Sequence, residues 1–149
     1  MSNTTLRIII GAALSLHGLG HVMGAIPALR LFTVTESSPA MLKRWSSRSW
    51  LLTDPLGDST ARLICLVLFV AVLVCSIGAG LGLLGWLIPH GWWRTLAVVS
   101  AVLSLVAIAL YWNAFIALFP HKVGAIGMDL AVLICLLGAN WPSAAALGF

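Results

Sequence analysis

Two histidines one helical turn apart, His17 and His21, stand inside an otherwise apolar stretch of the chain. Residues four apart lie on the same side of an α-helix, so both imidazoles can reach one metal ion. A zinc or iron site needs a third and a fourth ligand. The spacing therefore indicates half of a metal site. The same pair is also compatible with hydrogen bonding to a neighbouring helix, with a ligand site or with a proton site.

A second ionisable group, Asp129, lies in a later apolar run. Ionisable residues within membrane segments usually mark functional sites, and its position predicts a polar pocket that opens toward the cytoplasm. The pocket would be lined by His21, Asn113, His121 and Asp129. The alternative is that Asp129 lies near the interface and pairs with Lys122.

Haem and metal remain open as cofactors. A bis-histidine haem needs a ligand that faces His17 or His21 from another helix, and the other apolar runs contain no histidine. A homodimer would supply that ligand if the two copies packed through the face that carries the histidines. Binding of haem or a transition metal in a dimer is therefore one hypothesis for the histidine pair.

The composition indicates a membrane protein. Of the 149 residues, 61% are hydrophobic and 8% are charged, which is far from the profile of soluble domains. Each span needs about 20 apolar residues to cross about 30 Å of hydrocarbon, so residues 1–149 form a single transmembrane domain. The net charge of +4 comes from scattered basic residues without a basic patch, which excludes nucleic-acid binding and favours lipid headgroups.

Four apolar runs, separated by polar or proline-containing breaks, predict an all-α, up-and-down bundle of four transmembrane helices. The spans are about 7–30, 62–88, 94–119 and 123–141. The interfacial loop 31–61 contains a short amphipathic helix, which begins at Ser38 and Pro39 and lies flat at the headgroups. Asp58 or Ser59 would cap the second span.

Small residues and charges predict how the spans pack and orient. Gly20-x-x-x-Gly24 and Gly78-x-x-x-Gly82 have the spacing that lets two helices approach closely. Most basic residues fall in the first and third loops, so the positive-inside rule predicts cytoplasmic loops there, with both termini outside. The protein is expected to be a multi-pass plasma-membrane protein, with a homodimer or a larger membrane complex as its candidate assemblies.

The segment His17-Gly18-Leu19-Gly20-His21-Val22-Met23-Gly24 resembles small bacterial membrane proteins whose first helix carries His-Gly-x-x-His-x-x-Gly. Pro55-Leu56-Gly57 and Trp93-Arg94 fit that resemblance. The resemblance implies four membrane helices and brings no activity with it. In its size and four-helix plan the chain is more remotely similar to the DoxX-like proteins.

Three functions follow as hypotheses. The small number of reactive groups favours a non-catalytic, accessory protein that binds a hydrophobic ligand or a partner helix through the His17/His21 face. The alternative is a membrane oxidoreductase subunit that binds haem or metal through the same histidines. A small proton-coupled exporter is the third.

Overall fold

The computed structural model describes residues 2–31 and 35–149, without the side chain of Pro120. Within those ranges the chain contains helices and no strand. The α-helices are α1 Asn3–Gly20, α2 Val22–Leu29, α3 Ala40–Lys43, α4 Thr53–Leu56, α5 Asp58–Leu84, α6 Trp93–Leu110, α7 Val123–Leu133 and α8 Ala144–Leu147. Short 3-10 turns cover His90–Trp92 and Trp112–Ala114, and a π turn covers Ile134–Gly138. Leu118–Lys122 is irregular, because the backbone is extended at Phe119.

Three helical segments in the described part of the chain are long and apolar enough to cross a membrane: Asn3–Leu29, Asp58–Leu84 and His90–Leu110. The 27 residues of α5 span about 40 Å at the α-helical rise, more than the hydrocarbon thickness. Val123–Gly138 is a shorter apolar helix. These helices agree with the predicted all-α membrane protein.

The central helix is α5, which packs against α1, α2 and α6, while α7 packs against α6. Two apolar clusters fill the interior. One contains Ala25, Ala28, Cys65, Phe69, Ala107, Ile108, Tyr111, Ala114 and Phe115. The other contains Leu14, Ala79, Leu83, Trp93, Ala97, Leu136 and Leu147. Between them along the helices lie the buried polar residues His21, Ser76, Ser100, Ser104 and Asp129.

Helix α1 packs closely against α5 at Gly11 and Gly18. A Cβ built on Gly18 would lie 2.6 Å from the Cβ of Ser76, and one built on Gly11 would lie 3.2 Å from the carbonyl oxygen of Gly80. The distance at Gly18 is shorter than real Cβ contacts, and the distance at Gly11 is tighter than most of them. Small residues at these positions therefore let the two backbones touch.

Of the glycines in the two predicted close-packing motifs, Gly24, Gly78 and Gly82 face a neighbouring helix and Gly20 does not. A Cβ on Gly20 would meet nothing within 4 Å, so this residue is not at a helix contact. Gly24 faces the ring of Phe69. Gly78 and Gly82 face Ile88, which lies in the turn after α5, and the start of α6. The four-residue spacing is common to several kinds of contact and does not specify which one a glycine makes.

The predicted amphipathic helix is only one turn long, Ala40–Lys43. The chain then leaves helical conformation, and the indole N–H of Trp45 donates to the carbonyl oxygens of Met23, at 3.1 Å, and Ala114, at 2.8 Å. Pro27, inside α2, has no N–H to bond the Met23 carbonyl four residues earlier. Trp45 satisfies that carbonyl, so this part of the predicted interfacial segment is bonded to the bundle.

The helix ends also differ from the predicted boundaries. The N-cap of α5 is Gly57, with φ +80°, and neither Asp58 nor Ser59 caps it. Asp58 lies 3.8 Å from Arg30 instead. The third apolar helix ends at Leu110, where Tyr111 leaves helical geometry and its hydroxyl donates to the Ala61 carbonyl at 2.7 Å.

Candidate functional site

The backbone at His21 forms a short 3-10-like turn that joins α1 to α2. Its N–H donates to the Gly18 carbonyl at 3.0 Å, and its own carbonyl accepts from Gly24 at 3.0 Å. These are bonds to the third residue along, as in a 3-10 turn, so the helix direction is retained with a local tightening. His17 and His21 therefore stay one turn apart, with ring centroids separated by 4.9 Å.

Asp129 of α7 is the partner that His17 meets. The Nε2 atom of His17 lies 2.7 Å from Oδ1 of Asp129, across 112 positions of sequence. Asp129 is fully buried, and its other carboxyl oxygen accepts from the Ser104 hydroxyl. One carboxyl group thus connects α1, α6 and α7 in the interior.

His21 completes the cluster. Its Nε2 atom lies 3.1 Å from Oγ of Ser104 and 3.4 Å from Nε2 of His17. The phenyl rings of Phe69 and Phe115 pack against the imidazole, and each ring centroid lies 6.0 Å from the imidazole centroid. The apolar rings hold the imidazole so that its Nε2 faces the other polar atoms.

One set of protons satisfies most of these contacts. His17 Nε2–H donates to Asp129, the Ser104 hydroxyl donates to the second carboxyl oxygen, and His21 Nε2–H donates to Oγ of Ser104. In that arrangement two N–H groups face each other at 3.4 Å, so the contact between the histidines is not a hydrogen bond. The buried Nδ1 atom of His21 has no hydrogen-bond partner among residues 2–31 and 35–149.

A cavity of about 210 Å³ opens beside the cluster. Both histidines contribute to its wall, together with His121. The complete lining is Leu16, His17, Gly20, His21, Phe115, His121, Gly124 and Ala125. The buried Nδ1 atom of His121 also has no hydrogen-bond partner in the part of the chain that the structure describes.

The predicted pocket residues are only partly brought together. His21 and Asp129 belong to one cluster, and His121 lines the adjoining cavity. Asn113 is exposed and does not line that cavity, and its backbone carbonyl accepts from the N–H of Ser46 at 2.9 Å. The 3-10 turn after α6 carries Asn113 away from the helix face on which it was expected.

Lys122, the alternative partner of Asp129, has a different neighbour. Its ammonium nitrogen lies 4.6 Å from the ring centroid of Trp112. Burial lowers the pKa of Lys122 below its usual range. The carboxyl group of Asp129 is bonded to His17 and Ser104 instead.

Ser104 is the member of the cluster that was not predicted as a site residue. It lies four residues after Ser100 in α6, and both are buried. Two serines on one face of an apolar helix are a usable signal, because hydroxyl groups in membrane helices bond to neighbouring helices. Spacing on α6 does not reveal that one serine meets Asp129 while the other meets Ser76, 2.6 Å away.

Three groups in the described residues could hold a metal ion: the imidazoles of His17 and His21 and the carboxyl group of Asp129. One ligand atom from each lies within 4.8 Å of the other two. Two imidazole nitrogens and a carboxylate oxygen suit zinc and iron.

Comparison of the chain with protein-family models, with curated proteins and with solved structures finds no match.

Proposed function

We propose that this membrane protein binds a divalent transition-metal ion through His17, His21 and Asp129. The observation that carries the proposal is the convergence of three ligand atoms, from α1, its junction with α2, and α7, within 4.8 Å of one another in the interior. From the sequence, a metal site was expected to need a second copy of the chain. Asp129 offers the third ligand from the same chain.

The distance between the two histidines supports a single shared ion. Zinc binds imidazole nitrogen at about 2.0–2.1 Å in tetrahedral sites, which separates two nitrogens on one ion by about 3.3 Å. The two Nε2 atoms are 3.4 Å apart. An ion bound to both nitrogens would take the place of the two facing protons, and the negative carboxylate would offset part of its charge.

The same geometry favours an ion over haem. Axial haem ligands approach the iron from opposite faces of the ring, whereas these Nε2 atoms point to one place from neighbouring turns of one helix. Three protein ligands leave a fourth position on a tetrahedral ion, as in catalytic zinc sites. The cavity of about 210 Å³ beside the histidines is where a water or small molecule would reach that position.

We further propose that α7, with the π turn after it, forms a fourth and short span. Val123–Gly138 is about 24 Å long at the α-helical rise, slightly less than the hydrocarbon thickness. Contacts with two other helices support this placement. Asp129 of α7 is hydrogen-bonded to His17 of α1. Arg94 at the start of α6 donates to the Leu136 carbonyl and, at 2.6 Å, to the side-chain oxygen of Asn140. The chain is then a four-helix up-and-down bundle with both termini outside.

Metal binding is tested on protein purified in detergent with a histidine-free tag. After chelation and removal of the chelator, Zn²⁺ is titrated by calorimetry. We expect about one ion per chain, and at least about tenfold weaker binding in His17→Gln and in Asp129→Asn.

The matched control is His90→Gln. His90 lies at another position, where its Nδ1 donates to the Gly82 carbonyl at 2.8 Å, so this variant should bind zinc as the native chain does. Equal zinc binding in all four proteins, or none in the native protein, would overturn the proposal. Helix content and elution volume in gel filtration establish that each variant is folded.

A second candidate is a hydrogen-bonded clamp that holds α1, α6 and α7 together without an ion. The proton assignment described above favours it, because His17, Ser104 and Asp129 then satisfy one another. In that case zinc leaves the melting temperature of the native protein unchanged, while His17→Gln lowers it. An increase in melting temperature with zinc supports the metal site instead.

A further inference from the structure

A second cavity, of about 350 Å³, lies between the end of α2 and the first turns of α5. It is separate from the histidine cluster, and no residue lines both cavities. Its wall consists of Ala28, Leu29, Arg30, Ser59, Arg62, Leu63 and Leu66. Two arginines and a serine line it without any acidic residue, so the polar part of the wall offers cationic and hydroxyl groups.

Arg62 carries a buried nitrogen that needs an acceptor. Its Nη1 atom is shielded from solvent and has no hydrogen-bond partner among the described residues. A guanidinium group has donors only, and a buried donor without a partner is unfavourable. The nearby carboxyl group of Asp58 lies 3.8 Å from Arg30 and does not line the cavity.

Arg30 occupies a backbone conformation that is unusual for its type. It ends α2 with φ +53°, in the left-handed region. A side chain other than glycine is disfavoured there, so this ending is retained at some cost in stability. It brings the guanidinium of Arg30 toward α5, within 3.8 Å of Asp58, while leaving that guanidinium largely exposed.

The rest of the cavity wall is apolar and open to the outside of the bundle. Leu29 is 49% exposed and Leu63 is 60% exposed, on helices that are long and apolar enough to cross a membrane. The cavity therefore has a cationic part and a leucine-lined part. An amphiphile with a negative headgroup and a hydrocarbon chain would match these two parts, the headgroup at the arginines and the chain at the leucines.

We propose that this cavity binds the phosphate of an anionic phospholipid. The guanidinium groups of Arg30 and Arg62 and the hydroxyl of Ser59 donate to the phosphate oxygens, so the partly buried guanidinium of Arg62 gains an acceptor. The acyl chain lies along Leu63 and Leu66. The absence of an acidic group from the wall gives phosphatidylglycerol an advantage over zwitterionic phosphatidylcholine.

The test uses the full chain, delipidated in detergent, and measures lipid binding by native mass spectrometry together with the melting temperature. We expect phosphatidylglycerol to bind at least about tenfold more tightly than phosphatidylcholine and to raise the melting temperature more. Inorganic phosphate and glycerol 3-phosphate serve as probes for the phosphate without acyl chains. If either one stabilises the protein as much as phosphatidylglycerol does, the ligand is a free phosphate compound and the lipid proposal fails.

Arg62→Gln should lose the preference for phosphatidylglycerol. The matched control is Arg44→Gln, which removes the same charge from an exposed residue that does not line the cavity. Equal lipid preference in the two variants would contradict the proposal. Arg62→Lys keeps the charge without the planar fork and should give an intermediate preference, which tests the site if Arg62→Gln does not fold.

Discussion

At the scale of single residues, the interior chemistry depends on hydroxyl, imidazole and carboxyl groups that satisfy one another away from water. Spacing on the first helix was enough to predict that His17 and His21 share a side. It could not predict Asp129 as the partner of His17, because these residues are 112 positions apart and periodicity carries no information about which helix lies opposite. The contact of Ser104 with Asp129 could not be predicted for the same reason.

Replacing Ser104 by alanine is expected to lower stability more than replacing Ser100. Ser104→Ala leaves both Oδ2 of Asp129 and Nε2 of His21 without this buried partner, at a cost of about 1–3 kcal/mol. Ser100→Ala removes bonds to the hydroxyl of Ser76 and to the Val72 carbonyl. Thermal unfolding in detergent compares the two variants, and an equal or larger loss for Ser100→Ala would contradict the role given to Ser104.

At the scale of helices, contacts between backbones place the side chains that form the site. Gly11 and Gly18 hold α1 against α5, and the bond from Trp45 to the carbonyl freed by Pro27 holds the loop against α2. The sequence predicted apolar helices and a flat interfacial helix. The second prediction was wrong in extent, because an amphipathic pattern does not record that an indole N–H can bond inside the bundle.

Gly18→Ala and Gly20→Ala should have opposite effects although the residues are two positions apart. The new methyl group at residue 18 would overlap Ser76, forcing α1 and α5 apart and lowering the melting temperature. At residue 20 the methyl group meets nothing within 4 Å, and alanine favours the helix over glycine by about 1 kcal/mol.

Thermal unfolding of both variants in the same detergent provides the comparison. If Gly20→Ala is the more damaging change, the helix contact lies at the Gly20-x-x-x-Gly24 motif after all. Helix content before heating shows whether both variants start from the folded state.

At the scale of the whole molecule, the two ends of the first helical segment have different partners. Arg7 donates to the carbonyl oxygens of Leu147, at 2.6 Å, and Gly148, at 2.8 Å, so the start of α1 and the end of the chain lie together. Arg30 lies near Asp58 at the other end of the first helical segment. These contacts support the proposal of an even number of membrane crossings.

Cysteine labelling tests this topology in right-side-out vesicles. In a background with Cys65, Cys75 and Cys135 replaced by alanine, an impermeant maleimide should label Ser2→Cys and Ala145→Cys from outside. Glu36→Cys should react only after the vesicles are opened, because the basic first loop is expected in the cytoplasm. Unequal labelling of the two terminal cysteines would mean an odd number of crossings.

The sequence by itself determined the membrane character, the helical class and the side shared by His17 and His21, because hydropathy and helical periodicity are local properties. The tertiary structure decided that Asp129 and Ser104 meet those histidines, that Asn113 lies apart from them, and that Gly18 rather than Gly20 lies at the helix contact. Each of those outcomes depends on which helices become neighbours and at what rotation. Packing of the whole bundle sets both, and no segment specifies them alone.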